Sequence, residues 1–400
     1  MSAATHPNVS KEFIVMMAAL ISIVAISIDA MLPALGLIGV DLKATNANQP
    51  QLIVGFIFIG MTIGQLINGP LSDAIGRRKI LFAGIGIYLF GSVICMISQS
   101  MEIMLLGRIL QGFGVSGPYI ASQSIVRDKY SGRAMARIMS LVMMIFIMVP
   151  TLAPALGQAV LFFGSWRYIF GLYIIYATSI FLWAYFRLDE TLPIEKRRPF
   201  DFSHILNAAK IVVTTKATLL YTLATGCVFA CLIGYISSVQ QIYQTQYGVG
   251  ELFALFFGAQ ALSSALSSLI NSRLVERLGM RYIVLRTLIC ISILSAVFLT
   301  IQIIAGPAPL WMFFTYGTAV FFSIGLLFGN LNALAMEPMG DMAGIAAAII
   351  GAISSVISIT CGTIIGQLYN GTTIPLTAGF MLLTCAAIVF ISCERSHKIR

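Results

Sequence analysis

Charge is what this 400-residue chain has least of: Asp, Glu, Lys and Arg make up 10% of it, against about 25% in soluble proteins. So few charged side chains cannot clothe a water-facing surface when 58% of the residues are apolar, which excludes an ordinary soluble globule. A mean hydropathy of +0.94 sets most of the chain against hydrocarbon. Histidine is nearly missing, and His6, His204 and His397 all lie outside the apolar runs. The seven cysteines (Cys95, Cys227, Cys231, Cys290, Cys361, Cys385, Cys393) sit in or at the ends of those runs. That placement argues against a disulfide framework and against a metal cluster. Neither G-x-x-x-x-G-K-[ST] nor H-E-x-x-H occurs, and no polar stretch is long enough for a nucleotide-binding domain. No enzyme activity, metal or cofactor is expected. The net charge of +9 is dispersed in short clusters between apolar runs, so nucleic acid is not an expected partner.

What is present is apolar runs of helix-spanning length. They fall near 13–36, 51–70, 80–98, 103–125, 138–160, 167–187, 217–240, 252–270, 283–305, 310–332, 343–366 and 374–392. Each is about the 17–25 residues that a helix needs to cross a bilayer. The expected fold is therefore an all-α membrane protein of twelve transmembrane helices. With the N-terminus inside, 21 of the 24 Lys and Arg fall in cytoplasmic segments. Only Lys43 and Arg167 fall outside, and Arg108 falls within a span. A missed span would throw every later loop onto the wrong side, so the asymmetry supports both the count and the orientation, with both termini cytoplasmic.

The longest polar stretch, 188–216, divides the spans six and six. The expected units are an N-terminal bundle over 1–187, a cytoplasmic linker over 188–216 and a C-terminal bundle over 217–400. Within the linker, Ile205, Leu206, Ala209, Val212 and Val213 form one helical stripe opposite Ser203, Asn207, Lys210 and Thr214. That pattern predicts a short helix lying in the membrane interface. The loops after the second and eighth runs both read L-x-[DE]-x-x-G-x-R, at Leu71–Arg78 and Leu274–Arg281. This repeat points to two six-helix halves related by duplication, a plan used by secondary transporters.

The stretch Gly69-Pro70-Leu71-Ser72-Asp73-Ala74-Ile75-Gly76-Arg77-Arg78-Lys79 resembles the signature loop between helices 2 and 3 of the major facilitator superfamily. The resemblance implies a gating loop of Gly69, Asp73, Gly76, Arg77 and Arg78, in which Asp73 and the basic residues form and break charge pairs between states. In the fourth span, Arg108, Gln111, Gly112 and Gly114 are similar to the R-x-x-Q-G-x-G motif of that superfamily's drug–proton antiporters. In the fifth, Pro150, Pro154 and Gly157 are similar to the antiporters' G-P-x-x-G-G bend, but with Ala153 and Gln158 in place of two of its glycines. Narrower signs resemble the bicyclomycin-resistance (Bcr/CflA) multidrug exporters: Asp29 to Leu35, Val126-Arg127-Asp128 with Ser131-Gly132, Ala153-Pro154 and Trp166 to Phe170. In the second half the match is thinner, with Ala343-Gly344 and Ala346 to Ala348 opening the eleventh span.

The resemblance implies a monomeric exporter in the bacterial inner membrane, with the bilayer and a small amphipathic molecule as its partners. A dedicated metabolite carrier on the same fold, for siderophore or nucleoside export or for uptake, is the alternative. Without nucleotide chemistry, transport must draw on a gradient or run downhill. Of 15 carboxylates only Asp29 lies well inside a span, which makes it the candidate proton carrier. It lies about 10 Å along the helix axis from the expected outer end of its span, and Arg108 about 9 Å from its own, so the two are expected to meet. Burial favours the neutral acid and a guanidinium favours the carboxylate, so joining and separating the pair would move a proton. The superfamily plan makes Gln65, Tyr119, Gln123, Tyr235, Gln240, Gln260 and Asn330 candidates for the substrate cavity.

Overall fold

The computed structural model describes residues 10–197 and 202–395, and among these the regular secondary structure is all helix. His6, His397 and the basic residues at 198, 398 and 400 lie outside them, as do the side chains of His204 and Ile205. The first span is α1 (Lys11–Asp29), a 3-10 turn at Leu32–Ala34, and α2 (Leu35–Asp41). The next five are α3 (Leu52–Ile75), α4 (Arg77–Ile97), α5 (Met101–Lys129), α6 (Gly132–Leu161) and α7 (Arg167–Arg187). The linker carries α8 (Phe202–Thr214). The remaining spans are α9 (Lys216–Gln240), α10 (Phe253–Leu278), α11 (Met280–Ala305), α12 (Leu310–Met336), α13 (Ala343–Gln367) and α14 (Ile374–Arg395).

Among the described residues, eleven spans are both long and apolar enough to cross a membrane. The twelfth expected crossing, α5, has the length, with 29 residues, but is the least apolar of the long helices. It can be so because α3 and α4 pack along it and α1 crosses it, so little of it faces lipid. Helices at the rim behave oppositely. Leu255, Leu262, Leu266 and Leu269 of α10 are all exposed, as a lipid-facing stripe requires.

One packing pattern occurs twice. Spans 2 and 4, 3 and 4, 1 and 5, and 3 and 6 are in contact, and so are spans 8 and 10, 9 and 10, 7 and 11, and 9 and 12. The repeated loops match in shape as well: Gly76 has φ +112° between α3 and α4, and Gly279 has φ +77° between α10 and α11. Both turns need a residue that tolerates positive φ. The two sets of helices meet through α3 with α13, α6 with α10, and α9 with the turn after α1. The end of the bundle that carries Lys11 is termed the near face, and the end that carries the 42–51 loop the far face.

The interfacial stripe divides on contact with the bundle. Ala208 and Val212 of α8 are buried against α9 and α13, Ala209 is half-buried, and Leu206 and Val213 are exposed. One apolar flank thus seals the helix to the protein and the adjacent flank is free for lipid.

Candidate functional site

The first span breaks at its candidate residue. Pro33 has no N–H to give the Asp29 carbonyl, and its ring would crowd that oxygen in a continuing helix. Accordingly α1 ends at Asp29. The side chain is buried (4% exposed), which keeps it off the lipid-facing surface. Among the described residues its carboxyl has no hydrogen-bond or ion-pair partner, although Tyr173 of α7 lies within electrostatic reach of it. Gly157 of α6 lies against the break: a Cβ there would overlap the Ala30 carbonyl oxygen. The G at this position of the fifth-span motif is thus required by close approach to the backbone beside Asp29.

The same break supplies an acceptor. The Ser27 carbonyl, which a continuing helix would bond to the N–H of residue 31, accepts instead from Arg108 Nη2 at 2.9 Å and from the Tyr173 hydroxyl at 3.3 Å. Arg108 is fully buried and spans three helices. Its Nε donates to the Ile53 carbonyl at 3.1 Å on α3, and its Nη1 to Gln111 Oε1 at 2.7 Å on α5. Gln111 in turn donates to Ser92 at 2.7 Å, and Ser27 shares a 2.6 Å hydrogen bond with Tyr88. Gly112 and Gly114 let the α5 backbone touch α3 and α4 on either side of this cluster, where side chains would collide with main-chain atoms.

Asp29 and Arg108 therefore do not pair here, and no carboxylate lies within ion-pair distance of Arg108 among the described residues. Depth along the helix was compatible with a pair, but azimuth is not. Ser27 faces Arg108 and Tyr88, and Asp29, two residues on, projects about 200° away around α1.

At the near face, Arg77 pairs with Asp73 one turn earlier and with Asp128 of α5 at 3.0 Å. The Glu190 carboxylate accepts from the backbone N–H groups of Arg77 (3.0 Å) and Arg78 (3.1 Å), capping α4. Arg78 lies over Phe82 and Tyr185 and donates to the Tyr185 carbonyl. Gly69 touches nothing that a Cβ would meet. In the sequence Asp128 is marked only as part of a signature, and Glu190 is not marked at all. Their signal was scarcity, since few acids lie near the Arg77 cluster.

Of the cavity candidates, Tyr235 donates to Gln260, which donates weakly to the Phe314 carbonyl at 3.4 Å. Asn330 donates to Asn271 and to the Leu326 carbonyl, both at 2.8 Å, and Gln240 donates to Gln244 at 2.8 Å. These four have partners within residues 216–395. Tyr119 and Gln123 are half-buried one turn apart on α5, and Gln65 is half-buried on α3.

The model of the Major Facilitator Superfamily matches residues 13–363. The chain belongs to this superfamily. It is a multi-pass membrane transporter and not an enzyme. The transporter is 32% identical to the uncharacterized MFS-type transporter YdgK of Bacillus subtilis (strain 168) over 356 residues, 88% of each chain. It is 26% identical to the bicyclomycin resistance protein homolog of Haemophilus influenzae over 371 residues, 91% of this chain and 90% of the other. It is also 26% identical to the chloramphenicol resistance protein of Pseudomonas aeruginosa over 392 residues, covering 94% and 88%. Among solved structures, the xylose transporter XylE of E. coli aligns with a TM-score of 0.68 at 12% identity, covering 95% of this chain and 96% of that one. The human organic anion transporter MFSD10 aligns at 0.67 and 16%, covering 97% and 99%.

Proposed function

We propose that this transporter is a proton-coupled exporter of small amphipathic organic compounds, drugs among them, of the Bcr/CflA type. It works by alternating access in the bacterial inner membrane with both termini cytoplasmic. The single observation that carries the coupling is Asp29: a carboxyl buried in a membrane bundle, at a broken helix, with no partner among the described residues to hold it ionised. In such a site the neutral acid is favoured, and entry of water or of a cationic group on conformational change favours release of the proton. Arg108 then serves as a fixed positive charge that joins α1, α3 and α5 and biases the region, in place of a direct counter-ion. The export reading draws on the relatives named for bicyclomycin and chloramphenicol resistance.

The test is substrate-dependent proton release by detergent-purified protein, screened over drugs and metabolites, against the Asp29→Asn variant. Release by the wild type that the variant lacks supports the proposal. Transport by Asp29→Asn with unchanged pH dependence overturns the coupling role. Release with one metabolite and with no drug would instead support a dedicated carrier.

A further inference from the structure

Among the described residues, the hydrogen bonds that tie residues 11–187 to residues 216–395 converge on two neighbours in the far-face loop, Ala47 and Asn48. Asn48 Nδ2 donates to the carbonyls of Gln367 (2.9 Å) and Tyr369 (2.8 Å). Its Oδ1 accepts from Gln241 Nε2 at 3.0 Å, and its backbone carbonyl accepts from Gln367 Nε2 at 2.7 Å. Gln241 Nε2 also donates to the Ala47 carbonyl at 2.7 Å. By contrast, the five ion pairs among the described residues each stay within one set of spans.

We propose that Asn48 is the far-face latch of the transport cycle: one neutral side chain that holds the two halves closed on this side by capping the end of α13, and that lets go when the face opens. This deepens the alternating-access reading and rests on it. Gln367 is the last residue of α13, so the carbonyls that Asn48 takes belong to a helix end with no intrahelical donor. Such carbonyls bond to water once released, so each bond contributes little net free energy and the latch is reversible. The loop is built to present the side chain. Asn46 Oδ1 accepts from the Asn48 N–H at 2.9 Å, and Gln49 Oε1 accepts from the Thr45 N–H at 2.6 Å. On the other side, Gln241 opens a π-helical turn, Gln241–Gln246, at the end of α9. Such turns are rare and recur at functional positions. The seventh span is thus irregular at the far face, where its π-helical turn meets the latch.

The test measures geometry and needs no substrate and no proton, so its failure is distinct from failure of the export reading. Spin labels on Val40→Cys and Leu368→Cys, both exposed and one in each half, report the far-face separation by pulsed dipolar spectroscopy. For this, Cys290, Cys361, Cys385 and Cys393 are replaced by serine. Wild type is expected to give a dominant short distance. Asn48→Asp keeps the shape and the acceptor but loses both donors, and is expected to raise the ratio of long to short distances about tenfold, for two lost bonds. Gln241→Met removes the opposite partner and is expected to shift the ratio the same way. A rise in either variant supports the latch; distance distributions identical to wild type in both overturn it.

Discussion

Replacing Arg108 by lysine keeps the charge and removes the fork. The guanidinium reaches three acceptors on three helices: the Ser27 carbonyl at 2.9 Å, the Ile53 carbonyl at 3.1 Å and Gln111 Oε1 at 2.7 Å. A compact ammonium on an unbranched stem satisfies about one of them. Two charge-assisted bonds are lost, each contributing about 1.5–3 kcal/mol in soluble proteins. The lower value suits a membrane bundle, because its unfolded state also finds partners. The expected cost of Arg108→Lys is therefore about 3 kcal/mol. Arg108→Met also loses the bonds but removes a buried cation that no carboxylate among the described residues neutralises, so it is expected to be no less stable than the lysine variant. Unfolding in mixed micelles with increasing SDS, followed by far-UV circular dichroism, measures both. A lysine variant within about 0.5 kcal/mol of wild type would refute the idea that this side chain clamps α1, α3 and α5 together.

Three other perturbations have defined outcomes. Gly157→Leu forces α6 away from the Ala30 carbonyl and is expected to destabilise by about 1–3 kcal/mol in the same assay, with transport lost even where protein accumulates. Glu190→Ala uncaps α4 by removing the acceptor of the Arg77 and Arg78 N–H groups; a loss of about 1 kcal/mol in the same assay is expected. Tyr235→Phe leaves Gln260 without its donor inside an aromatic wall of Phe257 and Phe321. It is expected to cost about 1–3 kcal/mol, while ligand binding measured by fluorescence quenching changes less than it does in a variant of Gln123.

The spans were legible because lipid leaves the chain no choice: an unbonded backbone inside hydrocarbon is too costly, so apolar runs become helices. The break in the first span was half legible. Pro33 marks it, yet Pro70, Pro118, Pro150 and Pro154 all remain inside helices, so a proline alone does not decide. Arg108 stood out as a charge in a span, but two of its three acceptors are backbone carbonyls, which carry no signature in a sequence. The Asp29–Arg108 pair was expected from depth alone, and the phase around α1 set the two apart. Asn48 gave no sign at all, since an asparagine in a polar loop looks like any turn residue until α13 ends beside it.

The repeat that links the halves is kept in shape but not in charge, and this localises the energetics. Gly76 and Gly279 turn alike, yet the acid that precedes each behaves differently. Asp73 pairs with the buried Arg77, itself joined to Asp128. Its counterpart Glu276 is exposed and, among the described residues, has no ion pair; Arg281 instead pairs with Glu394 and donates to the Tyr221 hydroxyl at 2.7 Å. If charge rearrangement at the near face drives the cycle, the load falls on the first half. Asp73→Asn is then expected to cut turnover at least tenfold in proteoliposomes, while Glu276→Gln changes it less than twofold, because an unpaired surface carboxylate contributes little. Equal losses in the two variants would mean that the second loop acts through a state in which Glu276 finds a partner, and the division of labour between the halves would have to be redrawn.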